Sequence, residues 1–115
     1  MGYLYWPHCV EYTVRRAIDL AGVPIIVTEN GIGTGDDRQR IRYVGDALAG
    51  LRTLLDDGLD VRGYFQWSLL DNFEWALGYR PKFGIVEVDR TTFARTPKPS
   101  ANWYAKATRT FFTTA

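Results

Sequence analysis

The sequence holds a single cysteine, Cys9, and a single histidine, His8. One thiol excludes an intramolecular disulfide framework, and one thiol with one imidazole cannot assemble a zinc-type ligand cluster. An excess of charge of either sign is also missing. The 14 Lys and Arg face 13 Asp and Glu, a formal net charge of +1, which leaves no broad electrostatic footprint for nucleic acid or an anionic membrane. No segment is long and apolar enough to span a bilayer, and Met1-Gly2-Tyr3-Leu4-Tyr5-Trp6 lacks the basic start and apolar centre of a signal peptide. The expected compartment is therefore the cytoplasm, with no nucleic acid or membrane partner and no metal or cofactor.

What is present is apolar and aromatic. With 46% hydrophobic and 15% aromatic residues in 115, the chain is too apolar for a disordered segment and sufficient for one packed unit. From about Pro7 to Ala21, the residues Val10, Val14, Ala17, Ile18 and Ala21 recur at helical spacing, with Gly22 as a stop and Cys9 as a small helix residue. Val23 to Thr28 reads as a buried strand. Ile41, Val44, Leu48, Leu51 and Leu55 lie three and four apart, a second helix with Asp36 and Asp37 at its start and Gly58 at its end. Leu59 to Leu70 reads as a second strand with apolar contact on both faces. An aromatic-rich loop follows, and then a helix in which Ser100 can cap and Tyr104, Ala107 and Phe111 line one face.

Two strands joined through a helix are expected to lie parallel. Such a pair has two open edges, and the chain is less than half of the roughly 250 residues that an eight-stranded α/β barrel needs. Association through those edges follows as an expectation. The loop Gly31-Ile32-Gly33-Thr34-Gly35 lies between strand and helix, where a dinucleotide-binding turn would be. However, Asp36 stands where the third glycine belongs, and its carboxylate would repel a pyrophosphate.

Glu29 is the first residue to demand a chemical reason. It is a charge at the end of an apolar strand, and in parallel α/β folds the C-terminal strand ends form the rim where active sites are built. Capping of a neighbouring helix or pairing with an arginine would also account for it. Just past the second strand, Trp67, Glu74 and Trp75 place aromatic faces beside a carboxylate. A sugar site needs this combination, because the C–H face of a pyranose stacks on an indole and its hydroxyls bind charged acceptors.

Three motifs extend this reading. "VTENG" at Val27–Gly31, "GYFQWSLLDNFEWALGY" at Gly63–Tyr79 and "KFGIVEVD" at Lys82–Asp89, continued by "RTPKPSANWY", resemble the C-terminal part of glycoside hydrolase family 1, the retaining β-glucosidases and β-galactosidases. The resemblance implies an α/β chain forming the C-terminal portion of a TIM (β/α)8 barrel: the last two βα units plus a preceding helix. Residues 1–115 would then be an incomplete domain, with Met1 an internal methionine of a longer frame. By the same resemblance Glu29 matches the nucleophile and Trp67 the platform under the bound sugar. Glu74 and Trp75 match residues that hydrogen-bond the terminal glycosyl hydroxyls, and Phe83 an aromatic lining the pocket. Glu74 would repel a phosphate, so the implied substrate is an unphosphorylated β-glycoside such as a β-glucoside. The family's acid/base lies in an Asn-Glu-Pro motif that does not occur here. Retaining hydrolysis needs two carboxyl groups roughly 5 to 5.5 Å apart, so the chain alone is expected to be inactive. The alternative is a non-catalytic sugar-binding remnant, or a subunit that completes a barrel with another chain.

Overall fold

The computed structural model describes residues 3–111; Met1 and residue 112 of the last-helix motif lie outside the described residues. The chain divides into two compact units, Met1–Gly31 with Arg42–Trp67 and Ile32–Ile41 with Ser68–Ala115, where composition suggested one. The elements are α1 (Cys9–Ala21), β1 (Ile25–Asn30), α2 (Asp37–Asp56), β2 (Val61–Gln66), a 3-10 turn (Trp75–Leu77), β3 (Val86–Val88), β4 (Arg95–Pro97) and α3 (Pro99–Phe111). No helix among the described residues is long and apolar enough to cross a membrane.

In the first unit α1 buries Val10 and Val14 on the expected stripe. It ends where Gly22, at φ 63°, adopts the left-handed conformation and donates its N–H to Ile18 O at 2.8 Å. The α2 stripe is centred differently from the expectation. Tyr43, Val44, Ala47, Leu48, Leu51 and Leu54 are buried, while Leu55 is only half-buried. Each large aliphatic side chain in this row stabilises the unit by about 1.5–3 kcal/mol. β1 and β2 pair in parallel across the α2 connection, as two strands joined through a helix should.

Both strands depart from the sequence reading. β1 runs to Asn30, so Glu29 lies within the strand instead of following it, and no β1 residue is fully buried. β2 is six residues long, not twelve, and only Val61 is buried. Phe65 and Ile26 remain 60% and 53% exposed. The physical reason is that, among the described residues, β1 and β2 form a two-stranded sheet with no further strand at either edge, so apolar side chains suited to a larger sheet stay in water.

The second unit contains a hairpin that periodicity did not reveal. β3 and β4 are antiparallel, with Val86 opposite Pro97, Glu87 opposite Thr96 and Val88 opposite Arg95. Three-residue strands are too short to carry a readable alternation. The turn between them is held by Asp89 Oδ1, which accepts the N–H groups of Thr91 and Thr92 at 2.8 and 2.7 Å.

Helix α3 presents half-buried Tyr104, Ala107 and Phe111, as expected, but its cap is not Ser100. Pro99 opens the helix, and Asp37 from the first turn of α2 accepts both the Ser100 N–H and the Ser100 hydroxyl, each at 2.7 Å. Asp37 also pairs with Arg40, which is 1% exposed and donates further to Thr34 O and Lys82 O. Burial pushes the Asp37 carboxyl up, but the Ser100 bonds and the Arg40 charge outweigh it and hold the group below its ordinary value. A carboxyl lowered in the folded state contributes fully above its unfolded value, and that contribution disappears as pH falls through the lowered one. Replacing Asp37 with Asn is expected to cost about 3 kcal/mol at neutral pH, because Arg40 stays buried without its charge partner. Urea unfolding should also show the native chain losing more stability than D37N below about pH 4.

Candidate active site

Glu29 and Trp67 belong to the first unit. Glu29 is exposed on β1, and Trp67, 38% exposed, lies one residue past the end of β2. The two positions are tied through the main chain, since the Trp67 N–H donates to Asn30 O at 2.8 Å. This bond continues the strand pairing beyond β2 and fixes the Trp67 backbone beside the strand that carries the carboxylate. Parallel pairing explains the coincidence: both strands point their C-terminal ends the same way, so residues at those ends share a rim.

Glu74, Trp75 and Phe83 belong to the second unit. Glu74 is half-buried; its N–H donates to Gly78 O at 2.7 Å and one carboxylate oxygen accepts from the Asn72 amide. Trp75 begins the 3-10 turn at φ 46°, a left-handed conformation that is uncommon for a bulky residue, and its side chain is 84% exposed. Backbone strain of this kind is worth about 1–3 kcal/mol and persists only where surrounding bonds over-determine it. Phe83 is 7% exposed, and its carbonyl accepts the Ser68 N–H at 3.2 Å. Nearby, Phe73 packs edge-on against Tyr79 with ring centroids 5.2 Å apart, and the Arg90 guanidinium sits 4.0 Å over the Tyr79 ring.

The residue that organises this loop is Asp71, which sequence reasoning missed. It is 3% exposed, and a buried carboxylate is tolerated only when paired and hydrogen-bonded. Lys98 Nζ donates to Asp71 Oδ1 and Oδ2 at 2.9 and 3.0 Å and to Gly84 O at 2.7 Å. The Gly84 N–H returns to Asp71 Oδ1 at 2.9 Å, and Arg90 reaches the Asp71 carbonyl. A Cβ at Gly84 would collide with the Asp71 backbone, so only glycine permits this approach. The chain on either side of Glu74, Trp75 and Phe83 is thereby closed by one buried charge. The signal was an aspartate inside an aromatic motif and a lysine 27 residues later. Nothing in sequence spacing links them. Among the described residues, no cluster of His, Cys, Asp and Glu is arranged to hold a metal ion.

The parallel β–α–β unit with carboxylate and indole at its strand ends defines a segment of a (β/α)8 barrel, not a closed one. Solved structures agree. The β-glycosidase BGL167 superposes with a TM-score of 0.89 at 50% identity, over 91% of this chain and 25% of that one. The Thermotoga maritima β-glucosidase in complex with glucoimidazole gives 0.91 at 34% identity, over 96% and 28%. The glycosyl hydrolase family 1 model matches residues 1–111, and the chain belongs to that family. It is 46% identical to the thermostable β-glucosidase B of Thermobispora bispora over 104 residues, which are 84% of this chain and 22% of the relative. The chain spans about a quarter of the length of the curated relatives it matches.

Lys98→Met should cost about 3–5 kcal/mol in urea unfolding, because it strands the Asp71 charge in the interior. The double variant Asp71→Asn/Lys98→Met is expected to be more stable than Lys98→Met alone, the sign of coupling that a double-mutant cycle reads.

Proposed function

We propose that this chain supplies the nucleophile and part of the sugar-binding wall of a retaining β-glucosidase-type glycoside hydrolase acting on unphosphorylated β-glycosides. The observation that carries the reading is Glu29, held exposed at the C-terminal end of a parallel strand with Trp67 bonded beside it, in a chain that belongs to glycosyl hydrolase family 1. The substrate class is supported by relatives named as β-glucosidases and by a neighbour bound to glucoimidazole.

In this mechanism a Glu29 carboxylate oxygen attacks the anomeric carbon. The glycosidic C–O bond breaks as the new C–O bond forms, and the leaving oxygen takes a proton from a general acid. Water then cleaves the glycosyl ester, and a second inversion restores the starting configuration. Trp67 stacks under the sugar ring, Glu74 and Trp75 bind its hydroxyls, and Phe83 lines the pocket. The exposed indole of Trp75, held by a strained backbone, supports its assignment. The general acid is not among this chain's motifs, since Asn-Glu-Pro is absent. Glu74 is assigned to sugar binding, and using it as the acid would leave the hydroxyls it holds unpaired. Residues 1–115 are accordingly read as an incomplete domain.

The purified 115-residue chain is expected to show no turnover of an aryl β-glucoside, because general acid/base assistance is typically worth about 10²- to 10⁴-fold and preorganisation is lost with the rest of the barrel. Turnover near that of intact relatives would refute this. Glu29 itself is tested in a hybrid, with this chain replacing the segment it aligns to in the Thermobispora bispora enzyme. Glu29→Gln should abolish turnover in the hybrid. Glu29→Ala with azide should yield the α-glycosyl azide, azide attacking from the vacated face; azide without effect and an active Glu29→Gln hybrid would rule out the assignment.

A further inference from the structure

The pairing of β1 with β2 is not uniform. Between Ile25 and Ile26 the second strand advances two residues, from Val61 to Gly63, for one in the first; between Val27 and Asn30 the sense reverses, and the first strand advances three residues while the second advances two, from Tyr64 to Gln66. One extra residue therefore sits in β1 at Thr28–Glu29, the signature of a β-bulge, a feature that re-aims side chains beside active sites. Exposure follows the bulge. Ile25 and Val27 are half-buried, Ile26 is exposed, then Thr28 and Glu29 are exposed in succession, and Asn30 is half-buried. Strict alternation would send two consecutive residues to opposite faces.

Asn30 is bonded on three sides. Its carbonyl accepts the Trp67 N–H at 2.8 Å, its Oδ1 accepts the Tyr64 hydroxyl at 2.9 Å, and its Nδ2 donates to Tyr43 Oη at 3.4 Å. Tyr43 is a fixed partner. It is 7% exposed, and Tyr5 packs edge-on against it at 5.5 Å. Burial pushes the Tyr43 hydroxyl up, against the opposing pull of the Asn30 bond, so it carries its proton at neutral pH. A Cβ at residue 31 would collide with the Trp67 carbonyl, so the backbone just past Asn30 is held against the extension of β2.

We propose that Asn30 is the positioning residue for Glu29: its side chain, clamped between Tyr43 and Tyr64, locks the bulge that keeps the Glu29 carboxylate on the exposed face of the strand pair. The proposal rests on the reading of Glu29 as nucleophile. An amide suits the place because it offers one donor and one acceptor to two hydroxyls. Without the clamp, the register of Val27 with Tyr64 continues along β1, Gln66 pairs with residue 29, and the Glu29 side chain turns to the opposite face.

Two measurements test this. In the 115-residue chain, cross-strand NMR contacts of Gln66 should connect to residue 30 in the native sequence and in Asn30→Asp, whose carboxylate accepts from both hydroxyls. In Asn30→Ala they should move to residue 29. Tyr64→Phe, which keeps the ring volume, gives the same readout if Asn30→Ala fails to fold. In the hybrid enzyme, Asn30→Ala should lower kcat by about 10²-fold with KM little changed, the scale expected when a reacting group is misplaced by about 1 Å, and Asn30→Asp should recover most of the loss. An unchanged register in both Asn30→Ala and Tyr64→Phe, or an unchanged kcat in Asn30→Ala, overturns the proposal. An active Glu29→Gln hybrid would instead remove the nucleophile reading, and the register measurement would still decide the role of Asn30.

Discussion

In the second unit, the structure depends on one buried charge. Asp71 is out of water, and its carboxylate must be satisfied by whatever surrounds it. Lys98 and the Gly84 amide do so, and in meeting that demand they close the loop that carries Glu74, Trp75 and Phe83. A surface ion pair would fix little, since exposed pairs are worth about 0–1 kcal/mol. Burial makes the same chemistry decisive, because either partner left alone costs several times that. The strained, solvent-exposed Trp75 is a consequence: a loop closed this firmly can hold an indole where packing alone would not.

A second buried pair, Arg40 with Asp37, follows the same logic at the start of α2. Asp37 serves its own helix as an acidic first-turn residue and caps α3 through Ser100. Arg40 also donates through Nη2 to the carbonyls of Thr34 and Lys82. The second unit has few buried apolar side chains, Phe83 and Val88 among them, and correspondingly relies on charge-assisted bonds. The first unit is the reverse, with a continuous apolar row on α2 and with Val10, Val14 and Val61 buried as well.

Much of this was legible in the sequence. The helices could be read because long amphipathic periods repeat enough times to be unambiguous, and Gly22 and Gly58 mark their ends with positive φ. The parallel pairing could be read because a helix separates the two strands. The β3–β4 hairpin could not, because three residues carry no period. The strands' exposure was misread for another reason: β-branched and aromatic density reports what a strand is suited to contact, and this two-stranded sheet leaves Ile26 and Phe65 largely in water. Ser100 was assigned a cap by residue type alone, when a carboxylate 63 positions away holds the helix start.

The sequence by itself determined the residue types and the order in which they arrive: a carboxylate at Glu29, indoles at Trp67 and Trp75, and the motifs by which the chain belongs to glycosyl hydrolase family 1. Those are local facts, written in consecutive residues. Only the tertiary structure decided that Asp71 meets Lys98, that Asp37 meets Ser100, and that Asn30 is held between Tyr43 and Tyr64. The reason is that hydrogen bonds and buried charges join groups by distance in space, and the chain separation between their partners leaves no pattern to read. The register of β1 against β2 belongs to that second class, since a shift of one residue, as between Val27 and Asn30, leaves no mark in the sequence.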